Sequence, residues 1–270
     1  MRAKRIWFWT AVTLVAVGAV VGSAGPASAE SYGTARIQYF GCSGGAATFN
    51  VDFLWDNLNW RSMYVYTGQY NFHFYPDHPD SGPLADDLLK DPFGAYCVDL
   101  GQTISGAQTY TIRDLEDAPI SYWTVAGKKE TLRPMGEDKA DDLRELFGRY
   151  GKSATDNVAK EAFGACIWEI VYENPANKYD ITKGALYMTG LGSAQTQAQT
   201  WLSVLNDDTN GNDTLKYDWD VLALSNAEQQ DFAFTSPGAG GRIIPEPVTM
   251  AGLMLGIGSV VTYVRKRRMA

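Results

Sequence analysis

From Ala35 to Asn57 apolar and polar positions alternate. Ile37, Tyr39, Phe49, Val51 and Phe53 fall on a period of two, and Gly41, Gly44 and Gly45 stand between the runs. That spacing predicts half-buried strands separated by turns. Met63 to Phe74 (MYVYTGQYNFHF) repeats the pattern, Pro76, Pro79, Gly82 and Pro83 then interrupt it, and Phe93 to Leu100 and Ile104 to Ile112 read as further strands. The period changes in the middle of the chain. Leu143, Leu146, Phe147 and Tyr150 recur at helical spacing behind acidic residues and stop at Gly151, which predicts a helix of three to four turns. Ala159 to Tyr172 (AKEAFGACIWEIVY) predicts a second helix ending near Asn174-Pro175, and Ser193 to Leu205 a third, with Ala194, Ala198, Trp201, Leu202 and Leu205 on one face. Strand character returns at Tyr217 to Leu224 and Asp231 to Phe234. Strands, then helices, then strands imply an α+β domain of mainly antiparallel β-structure with an inserted helical segment.

Two other apolar stretches have no period and bracket this pattern. Ile6 to Gly22 follows Arg2, Lys4 and Arg5 and precedes Ala27-Ser28-Ala29. A basic start, an apolar middle and small residues before a cut make a secretory signal over residues 1–29, with cleavage between Ala29 and Glu30 by signal peptidase after passage through the secretion machinery. At the other end, Pro245-Glu246-Pro247 precedes an uncharged run, Val248 to Val264, and then Arg265, Lys266, Arg267 and Arg268. As a helix the run spans roughly 25 Å, a short crossing of a hydrocarbon core about 30 Å thick. It predicts a single C-terminal transmembrane helix whose basic end stays cytoplasmic. The chain divides accordingly into the signal 1–29, an extracytoplasmic domain 30–235, a Gly- and Pro-rich flexible linker 236–244 and an anchor 245–270.

Charge sharpens this division. Seven of the 23 basic residues lie in the two end segments, whereas all 31 acidic residues lie between signal and basic tail, leaving 16 cations against 31 anions and a net charge of −15 there. Such a surface excludes nucleic acid as a partner and favours solubility, cations or basic partners. The 8 Trp and 15 Tyr point to an aromatic core, although one Trp-rich patch lies in the signal. With three cysteines, Cys42, Cys97 and Cys166, in an oxidising compartment, one intrachain pair can form and one thiol remains.

Catalytic motifs are scarce: there is no His-Glu-x-x-His and no Gly-rich nucleotide loop. The two histidines, His73 and His78, lie close to Asp77 and Asp80 and read as strand and turn residues in preference to a metal site. Asp207 to Asp213 (DDTNGND) is rich in oxygen donors, but Gly211 does not sit where a helix-loop-helix calcium loop needs it, and the segment reads as a solvated Asn-Gly turn. No catalytic residue, metal or cofactor is called for.

The segment Tyr96-Cys97-Val98-Asp99, followed by Ala162-Phe163-Gly164-Ala165-Cys166-Ile167-Trp168-Glu169-Ile170 and Trp201-Leu202, resembles the thioester-domain family of bacterial surface proteins over roughly Phe93 to Leu205. In that family a Cys in a Tyr-Cys segment condenses with a Gln just before an Ala-Ile-Trp segment, and the activated acyl group captures an amine on a surface. Cys97 matches the cysteine, but the Gln position falls on Gly164, which has no carboxamide to supply the acyl carbon. The resemblance instead places Cys166 beside the partner position and implies a Cys97–Cys166 disulfide, worth roughly 4 kcal/mol in chain-entropy terms. Pairing of Cys42 with either remains open. The C-terminal 26 residues resemble the PEP-CTERM sorting signal, which implies cleavage by an exosortase-type membrane protease.

The expected protein is therefore exported, held at the envelope by its C-terminal helix until processing, and then located at the cell surface or in the extracellular matrix. Its expected role is noncovalent binding, adhesion or structure, with a surface polysaccharide or protein as partner. A covalent thioester adhesin and an envelope-polymer hydrolase are the alternatives.

Overall fold

A computed structural model describes residues 31–52, 60–123, 129–174, 176–207 and 220–236. The signal, the segment 237–270 and most of the Asp207–Asp213 loop lie outside the described residues, and with them the cleavage site Ala29/Glu30, Pro245-Glu246-Pro247 and Arg265 to Arg268. Among the described residues no helix is long and apolar enough to cross a membrane.

The domain is α+β, with a mainly antiparallel sheet and four α-helices among the described residues. Its strands are β1 (Ser31–Asp52), β2 (Trp60–Phe74), β3 (Phe93–Cys97), β4 (Ala107–Asp114), β5 (Pro119–Trp123), β6 (Lys129–Pro134), β7 (Leu186–Thr189), β8 (Val221–Ser225) and β9 (Phe232–Thr235). The helices are α1 (Ala85–Leu88), α2 (Glu137–Tyr150), α3 (Asn157–Tyr172) and α4 (Ser193–Leu205). The main sheet runs β2-β3-β9-β8-β4-β1-β7, and an extra β1–β2 pairing closes six of its strands into a ring. β5 and β6 form a separate hairpin.

The length of β1 makes both closure and extension possible. Its first part, Ser31 to Gln38, pairs with β4, while Ile37 to Asp52 pairs with β2, and Thr48 to Val51 also carries β7. The far half of β1 and β2, with β7, forms a three-stranded arm. The glycines expected to break β1 into separate runs lie inside one continuous strand. Gly44 faces Gly68 in register, and a Cβ on Gly44 would come within 2.1 Å of the Thr67 carbonyl oxygen. Gly44 and Gly68 permit close backbone approach at this crossing and make no turn.

Two aromatic clusters organise the interior. Within the ring, Phe232 lies 5.2 Å from Tyr70 and 5.0 Å from Phe72, and Phe72 lies 5.4 Å from Phe93. On the helical side, Phe163 of α3 meets Tyr96 of β3 at 4.7 Å and Phe147 of α2 at 4.9 Å, and Trp201 of α4 stacks on Tyr150 at 4.9 Å. α3 runs between arm and helices, so every residue from Ala162 to Tyr172 is buried. It starts at Asp156, whose Oδ1 accepts the Ala159 N–H at 2.8 Å, an N-cap worth about 1 kcal/mol.

Candidate functional site

The segments that carry Cys97 and Gly164 both pack on β2. Cys97 ends β3, and Trp168 of α3 reaches it with an indole that also meets Phe49 of β1 edge-on at 4.4 Å. Extending the β2–β3 register by one residue sets Gly68 opposite Cys97, and Gly164 lies against Thr67 and Gly68. A Cβ on Gly164 would stand 2.6 Å from Thr67 Oγ1 and 2.8 Å from the Gly68 amide nitrogen. The second contact is backbone and cannot rotate away. At position 164 the helix packs directly on the strand, held by the Thr67 hydroxyl donating to the Glu161 carbonyl at 3.3 Å.

The expected Cys97–Cys166 disulfide is not formed, and all three cysteines are free thiols. Cys97 directs its S–H to the Asp99 carbonyl at 3.1 Å, whereas Cys166 turns to the Ala198 carbonyl of α4 at 3.5 Å. Adjacent positions on a helix face different neighbours: Gly164 and Trp168, four apart, look to the sheet, while Cys166 between them looks to α4. Burial first, and then the Asp99 carboxylate, push the Cys97 thiol well above its ordinary range. Burial and Glu169 do the same to Cys166. Cys42, half-buried, is pushed up to about 11, again chiefly by burial. None is poised as a nucleophile at neutral pH.

Below α3 lies a buried charged cluster. Glu173 accepts the N–H groups of Asn174 (2.9 Å), Ala185 (2.8 Å) and Leu186 (3.3 Å) and the Asn177 amide (2.7 Å), so its carboxylate is spent on fixing the chain before β7. Glu169 accepts the Asp180 N–H at 2.7 Å through Oε1, while its Oε2 has no partner. Burial raises its carboxyl well above the usual range. Lys139 of α2 donates to the Val171 carbonyl and, at 3.1 Å, to the Glu173 carbonyl, capping the C-terminus of α3, and burial lowers it to about 8. This carboxylate pair is sealed in the core, where a polymer cannot reach it. His73 pairs with Asp91 at 3.0 Å and stacks on Phe40, His78 sits near Asp80, and the described residues contain no cluster of three or more metal-ligating groups. A groove of about 390 Å³ along α4, lined by Thr182, Gln195, Thr196, Gln199, Thr200 and Ser203, commits its Thr200 and Ser203 hydroxyls to the helix's own carbonyls.

The surface feature that stands out is the arm. Ala47, Phe49 and Val51 bury one face of β1, with Phe49 against α3. The alternate positions form the opposite face. There Tyr64 is 74% exposed, Tyr66 63% and Trp60 38%. Register places Thr48 beside Tyr64, Asn50 beside Ser62 and Ala46 beside Tyr66. On the other flank it places Tyr187 and Thr189 of β7 beside Asn50 and Thr48. Trp60 and Tyr187 lie 5.5 Å apart, and Asp52, the acid in these rows, is buried. Most aromatic residues of the domain are core, but these are not. The sequence carries the signal in MYVY: Met63 and Val65 supply one apolar face and Tyr64 and Tyr66 a second, more than a one-sided sheet needs.

No family model, curated protein or solved structure matches this chain.

Proposed function

We propose that this chain is an exported cell-surface or extracellular-matrix protein whose mature domain acts by noncovalent adhesion. In this reading the signal 1–29 is removed after Ala29, and the segment from Val248 to Val264 holds the chain in the membrane as a helix. An exosortase-type protease then recognises Pro245-Glu246-Pro247 with the basic tail Arg265 to Arg268 and releases or transfers the domain. The domain itself is a thioester-domain relative that has exchanged the reactive centre for packing.

The single observation that carries the adhesive reading is the exposed aromatic face of the arm, where Tyr64 and Tyr66 leave large apolar area in water. Amphipathic rings of this kind supply the anchors of binding surfaces at low conformational cost. The Gly164 contact with Gly68 supports a noncovalent route, because a side chain at position 164 would run into the Thr67 hydroxyl and the Gly68 backbone. Determining the mature C-terminus by mass spectrometry, in cells with and without the sorting protease, tests the sorting half. Processing near Pro245 only when the protease is present is the expected result; an intact tail in both would reduce the segment to a plain membrane anchor.

A further inference from the structure

We infer that the outer face of the β1–β2–β7 arm is a platform for a neutral polysaccharide chain lying along β2. The inference rests on the adhesive reading above and names the ligand class. The face alternates rings with uncharged hydrogen-bonding groups: Trp60, Tyr64, Tyr66 and Tyr187 interleave with Asn50, Ser62 and the threonines of β1 and β7. A pyranose has the matching duality, with C–H groups on its faces that pack on aromatic rings and hydroxyls around its edge that need amide or hydroxyl partners. Trp60 to Tyr66 covers about 20 Å of strand at ~3.3 Å per residue, so several sugar units fit end to end.

Charge selects among polymers. Among the described residues the one acid in the rows of this face, Asp52, is buried and the rows hold no cation, so nothing there pairs with a uronate, sulfate or phosphate. The exported segment as a whole carries −15, which repels polyanions at moderate salt. A neutral chain is indifferent to that field.

The test is affinity electrophoresis and calorimetry of the full chain with a soluble β-glucan, a galactomannan and the polyuronate alginate, comparing wild type with Tyr64→Ala, Tyr66→Ala and Tyr64→Phe. Sedimentation of each protein runs alongside, and unfolding curves confirm that these exposed substitutions leave the fold intact. Binding of at least one neutral polymer, unchanged between low and high salt, weakened about tenfold or more by each alanine and kept by phenylalanine, is the expected result. Salt-sensitive binding to alginate alone would overturn the ligand class while leaving adhesion standing. Self-association abolished by the alanines would make the occupant a second copy of the chain and overturn the glycan proposal. No binding to any polymer, together with unchanged attachment to cells in the alanine variants, would overturn both readings.

Discussion

Replacing Gly164 by Gln introduces the residue that a thioester centre requires and therefore asks what the α3–β2 contact is for. The new Cβ would meet the Gly68 nitrogen at 2.8 Å and Thr67 Oγ1 at 2.6 Å, both far inside ordinary contact. Overpacking of a tight interior costs about 1–3 kcal/mol. Turning Thr67 aside loses its bond to the Glu161 carbonyl, about 1 kcal/mol more. Removing a glycine from a helix interior returns about 1 kcal/mol. The balance is a loss of about 2 kcal/mol, and for a domain of this size a fall in Tm of about 4–8 °C. Circular dichroism melting reads the shift, and intact mass reads whether one ammonia is lost, the mark of a Cys97 thioester. Gly151→Ala is the control: it caps α2 in helical geometry, its Cβ would touch only Phe147 at 3.6 Å, and it should stabilise by roughly 0.4–1 kcal/mol. A Gly164→Gln protein that melts at or above the wild-type temperature, or loses ammonia, would refute the packing argument.

Other consequences are equally direct. Glu169 has its folded pKa raised, so its contribution is intact below the unfolded carboxyl value of 4.5 and is lost as pH rises through the folded one. Glu169→Gln should therefore stabilise the domain at neutral pH and flatten the stability profile on the acid side; denaturant titrations at pH 4.5 and 7.5 that shift in parallel would contradict this. Lys139 titrates the other way: with its folded pKa lowered to about 8, stability should climb as pH rises from about 8 to the ordinary lysine value of 10.5, and Lys139→Met should remove that climb. Thiol titration should find no fast-reacting cysteine in the folded protein and three in denaturant; one in denaturant would signify a disulfide. Asp156→Ala should cost about 1 kcal/mol by uncapping α3, measured by urea unfolding.

How far the sequence spoke depended on how local the determining physics was. α4 was legible to the residue, Ser193 to Leu205, because an amphipathic surface helix writes its own period. α3 was legible as a helix but not as a central one, since its polar-looking Glu169 and small residues are buried by partners remote in sequence. Gly41, Gly44 and Gly45 looked like turns; only the facing Gly68 turns Gly44 into a close-approach residue. β7, four residues long, and the β5–β6 hairpin were missed because so few positions establish no period. At the candidate centre, motif resemblance singles out Cys97 and Gly164, but the direction of Cys166 toward α4 depends on helix rotation that spacing to Cys97 does not fix. The aromatic arm was hidden in plain composition, since Tyr64 and Tyr66 differ from core tyrosines only in which face of β2 meets a helix.

The central claim is noncovalent attachment through the arm, and fractionating cells tests it most directly. Cells making wild-type protein or the Tyr64→Ala/Tyr66→Ala double variant would be washed first with buffer and then with denaturing detergent, and the protein quantified in each fraction. Wild type should stay with the cell surface or matrix through buffer and leave it in detergent, while the double variant should appear in the medium. Wild-type protein that resists detergent, or a double variant retained as fully as wild type, would contradict the account.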